Sequence, residues 1–135
     1  MRLLTRLSLL ASAIGSLLVS TTADGRSGCY DAKIIGVLVS QEELPVKPPP
    51  KGRIYFAFPY LLTIKVHKVL EGTVRSSKLS IISIQHMAEP LELRTWWLTR
   101  NSAGSYNRVE SDGDDQLRRC RPKAAPAKPL LSEFN

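Results

Sequence analysis

The residues best suited to chemistry lie in one short run, Arg94-Thr95-Trp96-Trp97-Leu98-Thr99-Arg100. Two indole rings flanked by two guanidinium groups can grip a ligand by stacking and by charge. In an extended segment successive side chains point to opposite faces, so one ring enters the core and the other faces out. Arg94, Trp96, Trp97 and Arg100 are therefore the candidate ligand-binding residues, and a sugar, an anionic polymer or a protein is the kind of ligand they suit. The competing structural reading has one tryptophan packing the core and the other covering a sheet edge. A second basic cluster, Arg118, Arg119, Arg121 and Lys123, surrounds Cys120 and suits an acidic partner or an anionic envelope surface.

Other constellations point away from catalysis. His67 and His86 are the only histidines, and their spacing from Glu71, Met87 and Glu89 matches no zinc or copper ligand pattern. No metal and no cofactor is expected. The chain has no Gly-x-Ser-x-Gly, no phosphate-cradling glycine loop and no cysteine placed as a free nucleophile. The carboxylate pairs Glu42-Glu43 and Asp114-Asp115 fall in expected loops, where solvated acids are the rule. No catalytic residue is named, and a non-enzymatic protein is expected.

Chemistry of this kind needs a compartment and a scaffold. Arg2 and Arg6 precede an apolar run, Leu7 to Val19, and Thr21-Thr22-Ala23 supplies small residues for cleavage. Residues 1–23 therefore read as a signal peptide, too short in its apolar run for a membrane span, with export to the periplasm or beyond. No transmembrane segment is expected after cleavage. Loss of Arg2 and Arg6 lowers the formal charge of +7 by two, to +5. About 110 residues remain, enough for one domain and too few for two. In an oxidising compartment the two cysteines, Cys29 and Cys120, are expected to pair and close a loop of about 90 residues.

The mature chain reads as strands. Tyr30 to Ser40 is rich in Ile and Val, and Gly36 within it suggests a bulge or a sharp bend. A Pro-rich loop at 41–60 follows, with Pro48, Pro49 and Pro50 in succession. Tyr60 to Leu70 alternates Leu62, Ile64 and Val66 with Thr63, Lys65 and His67, with a bulge expected near Lys68. Lys78 to Gln85 is a strand with two apolar faces. Short strands at Thr95 to Thr99 and Ser105 to Val109 flank a turn at Asn101 to Gly104. The expected fold is all-β, a small five-stranded OB-like barrel or sandwich formed by one domain, 24–120, with a flexible tail at 121–135.

The Gly-bearing strand Ile34-Ile35-Gly36-Val37-Leu38-Val39, the Pro-rich loop and the run Leu62-Thr63-Ile64-Lys65-Val66-His67-Lys68-Val69-Leu70-Glu71-Gly72 together resemble secreted OB-fold domains of the netrin-like kind. That group includes metalloproteinase inhibitors and bacterial exported proteins. The resemblance implies the OB barrel over residues 29 to 120. It also implies an alternative function, protease inhibition through an amino-terminal Cys29 whose amine and carbonyl would chelate a catalytic metal. The residues themselves favour an exported binding or interaction domain whose partner is a protein or an anionic envelope polymer. Nucleic acid is not expected as its physiological partner, and a small metal-binding protein or enzyme is a further alternative.

Overall fold

The computed structural model describes residues 28–110 and 117–134. The expected signal peptide, 1–23, lies outside the described residues, as does the acidic stretch 111–116. The described residues form seven strands: β1 (Cys29–Tyr30), β2 (Ala32–Glu43), β3 (Phe58–Glu71), β4 (Lys78–Gln85), β5 (Leu93–Arg100), β6 (Tyr106–Val109) and β7 (Arg118–Arg119). A 3-10 helix, Leu130–Phe134, follows.

Five of the strands close a barrel in the order β2-β3-β4-β6-β5, with β5 returning to β2. Neighbours are antiparallel except β4 and β6, which run parallel. This is the topology of a small OB-like barrel, and closure removes the exposed edges that a five-stranded sheet would otherwise present. Alternation along each strand sends Ala32, Ile34, Leu38, Leu62, Ile64, Leu79, Ile81, Trp96 and Leu98 into one continuous core.

A barrel this narrow requires β2 and β3 to coil sharply, and the sequence supplies the means. The β2–β3 register slips three times, leaving Leu70 and His67 of β3 and Val39 of β2 without a pairing partner across that ladder. The β3 irregularities thus fall on either side of Lys68. Gly36 sits at one of them, where a Cβ would approach Ile64 Cγ2 to 2.6 Å and the Lys65 carbonyl oxygen to 2.9 Å. Only a residue without a side chain lets the strands cross so closely.

The barrel has two ends. At one, here the clip end, the short strands β1 and β7 pair in parallel beside the Cys29–Cys120 disulfide. The β3–β4 and β5–β6 connections also lie there. At the other, here the plug end, the long β2–β3 loop meets the β4–β5 loop through His86 Nδ1, 2.6 Å from the Phe56 carbonyl.

The segment after Cys120, expected as a tail, runs back along β6. Ala127 forms a bridge with Asn101, and its N–H donates to the Arg100 carbonyl at 2.9 Å. Asn107 Nδ2 donates to the Lys128 carbonyl at 2.6 Å. Phe134 is buried at the end of this path, 5.3 Å edge-to-face from Tyr55. Among the described residues, no helix is long and apolar enough to cross a membrane.

Candidate functional site

Alternation on β5 sends Arg94, Trp96 and Leu98 one way and Thr95, Trp97 and Thr99 the other. Trp96 is buried, and its Nε1–H donates to the Gly36 carbonyl at 3.0 Å, which satisfies the one polar group on the ring. The Arg94 and Arg108 guanidinium groups each lie 5.2 Å from the Trp96 ring centroid. Both also bond to the Glu89 carboxylate, one to each oxygen. Glu89 is held in turn by Gln41, which accepts from the Glu89 N–H and donates to its carbonyl. Arg94 also meets Glu92 at 3.1 Å and Arg108 meets Glu110 at 3.8 Å, so these groups form a charge-paired lid over the core at the plug end.

Trp97 faces outward on the barrel wall, with Lys33 Nζ 5.4 Å from its ring. Arg100 lies at the far end of β5, against Asp31 at the clip end. The four candidate residues are therefore divided among three places: Arg94 and Trp96 in the plug, Trp97 on the wall, Arg100 at the opposite end.

Arg100 instead joins residues that are distant in sequence. It lines a cleft of about 620 Å³ with Arg75, Arg119, Asp31, Tyr106 and the β3–β4 turn. The turn starts at Gly72, whose φ of +76 and closeness to Asp31 exclude a side chain. A Cβ there would meet the Asp31 carbonyl oxygen at 2.2 Å. That close approach puts Arg75 across from Arg100. The disulfide and the pairing of β1 with β7 bring Arg119 to the third side.

The electrostatics of the cleft are unbalanced. Among the described residues that line it, three arginines face one carboxylate, and Asp31 is already engaged by the Arg100 backbone N–H at 2.6 Å and the Thr99 hydroxyl at 3.3 Å. Among the described residues, Arg100 and Arg119 make only long ion pairs, 3.9 Å to Asp31 and 3.8 Å to Glu71. Their side chains are 60 and 53 % exposed, against 22 and 17 % for Arg94 and Arg108. Arg75 is exposed and has no ion-pair partner among the described residues. Guanidinium forks match carboxylate, phosphate and sulfate oxygens two at a time, so this arrangement can hold an anion.

Beside the cleft, the Tyr30 hydroxyl donates to Glu71 Oε2 at 2.9 Å. Burial first, then the bond to Glu71 and its charge, hold this phenol above its ordinary range, while Arg119 acts in the opposite sense.

The remaining sequence candidates are scattered. His67 is exposed at a β3 bulge towards the clip end, while His86 follows β4 at the plug end. No group of three His, Cys, Asp or Glu side chains gathers as a metal site among the described residues. Cys29 is buried and bonded to Cys120. Of the basic cluster around that cysteine, Arg119 reaches the cleft, with Pro122 beyond it. Arg75 carried no signal in the sequence, because an isolated arginine in a turn gains significance only from what the fold sets opposite it.

No family model matches the chain, and neither a curated protein nor a solved structure was found to match it.

Proposed function

We propose that the chain is an exported, non-enzymatic binding domain that takes an acidic ligand, protein or envelope polymer, in the cleft between Arg75, Arg100 and Arg119. One observation carries this reading: three weakly paired arginines, drawn from three separate segments, converge on a single cleft. A charge arrangement that serves only stability places each cation against a carboxylate, as Glu89 does for two arginines at the other end. Among the described residues, the cleft arginines are paired only at 3.8 to 3.9 Å or not at all. Export is supported by the apolar amino-terminal segment and fits a disulfide that ties β1 to the segment after β7.

Titration calorimetry of the exported protein with tripolyphosphate and with a poly-glutamate peptide tests the reading. Binding should weaken as salt rises, and Arg75→Ala or Arg119→Ala should each lower affinity by about tenfold. Equal affinity in an Arg75→Ala/Arg119→Ala double variant would remove the cleft as the site. Amino-terminal sequencing of the same preparation checks export, with a start near Asp24 expected.

A further inference from the structure

The β2–β3 loop, residues 44–57, has a chemistry unlike the rest of the surface. It contains Lys47, Lys51 and Arg53 and no acidic residue. All three cations are exposed, and none has a side-chain partner among the described residues. Ile54 and Phe56 follow directly. With Met87 they are the three most exposed large apolar side chains of the described residues, between 69 and 74 %. His86 Nδ1, hydrogen-bonded to the Phe56 carbonyl, brings the start of the β4–β5 loop, and with it Met87, to the same place.

These side chains are displayed on a fixed base. Tyr55, between Ile54 and Phe56, turns inward and packs edge-on against Phe58 at 6.4 Å and Phe134 at 5.3 Å. Alternation about that anchored ring leaves its two neighbours in water. The tip is a tight turn in which Arg53 N–H donates to the Pro50 carbonyl at 3.0 Å. Three successive prolines before it limit the loop's freedom. A pre-ordered, cation-flanked apolar tip loses little entropy on burial and combines the two attractions that hold a peripheral protein on a bilayer.

We propose that this tip seats the domain on an anionic phospholipid surface, with Ile54, Phe56 and Met87 entering the headgroup region and Lys47, Lys51 and Arg53 against the lipid phosphates. Charge complementarity selects the occupant: an apolar protein partner has no need of three unpaired cations, whereas an anionic membrane rewards each of them. Because β3 runs from the loop to the cleft, the arginine cleft then faces away from the membrane and stays open. The inference is independent of what the cleft binds.

Flotation of the exported protein with vesicles decides the matter, comparing phosphatidylglycerol mixed into phosphatidylcholine with phosphatidylcholine alone. Binding is expected on the anionic vesicles and should fall steeply with salt. Lys51→Ala and Arg53→Ala should each weaken it about fivefold. Ile54→Ser/Phe56→Ser should weaken it about tenfold or more. Arg75→Ala/Arg119→Ala should leave it unchanged, which separates this surface from the cleft. No flotation with anionic vesicles, or flotation that the loop variants leave intact, overturns the proposal, and so does an equal loss in the cleft variant.

Discussion

The two ends of the barrel use the same side chain in opposite circumstances. At the plug end Arg94 and Arg108 lie over the Trp96 ring and share one carboxylate, Glu89, which is pinned to β2 by Gln41. At the clip end Arg100 and Arg119 reach their carboxylates only at 3.8 to 3.9 Å, and Arg75 reaches none among the described residues. A half-buried arginine must be neutralised or it destabilises the fold, whereas an exposed arginine left without a partner costs little. Pairing separates the structural charge of Arg94 and Arg108 from the available charge of the cleft, and the β2–β3 loop at the plug end carries available charge of its own on Lys47, Lys51 and Arg53.

The contrast can be broken most severely at the plug. Trp96→Ala should cost about 3 to 5 kcal/mol in denaturant unfolding, since it empties the centre of the core and strands both guanidinium groups above a cavity. Reducing the Cys29–Cys120 bond acts on the other end. The bond joins residues 91 apart, so its loss should cost up to about 4.6 kcal/mol of stability in the loop-entropy treatment. In protein that remains folded, reduction should also weaken anion binding, because the β1–β7 pair that positions Arg119 loses its staple. Unchanged affinity after reduction would mean that Arg119 is not part of the site.

Single charge changes should affect the two ends differently. Glu89→Gln should destabilise by about 2 kcal/mol, because it leaves two half-buried arginines with only the exposed Glu92 and Glu110 as counter-charges, and should leave anion affinity alone. Arg75→Ala should do the reverse, with a melting temperature near wild type and affinity reduced about tenfold. If both variants change the same property, the distinction between the ends fails.

Tyr30 supplies the smallest effect, at alkaline pH. Its folded-state pKa is raised, so its contribution to stability is fully present below the unfolded phenol value of about 10 and is lost as pH climbs through the raised value. Stability measured from pH 8 upward should therefore fall above about pH 10. Tyr30→Phe should flatten that part of the decline in which Tyr30 is the ionising group. An alkaline profile identical in the variant would assign the decline to other groups.

The strands were largely legible in the sequence because a barrel core enforces a strict alternation. Leu62, Ile64 and Val66 fixed the facing of β3, and β4 runs from Lys78 to Gln85, the bounds its pattern suggested. Gly36 was readable as a bend because a lone glycine in an Ile/Val-rich strand has few other uses. The path of the chain after Cys120 was not legible. Its anchors are Asn107 and the Arg100 backbone, which accept or donate irrespective of the Pro- and Ala-rich composition of the segment they hold.

The candidate site was half legible for a related reason. Period-two alternation separates Trp96 from Trp97, yet it says nothing about which end of a strand a neighbouring charge will occupy. Arg94 and Arg100 are six positions apart, so one residue run that looked like a single basic-aromatic surface spans the length of the barrel wall. The cleft that replaces it depends on a turn glycine, a disulfide and a bulged strand acting together.

Side-chain NMR of the arginine Nε–Hε groups, with tripolyphosphate titrated into the purified protein, separates the cleft arginines from the paired ones. The signals of Arg75, Arg100 and Arg119 should shift together with one saturating affinity, while those of Arg94 and Arg108 stay in place. Shifts confined to Arg94 and Arg108, or spread evenly over every arginine without saturation, would contradict the contrast between the paired arginines over Trp96 and the proposed anion-binding cleft.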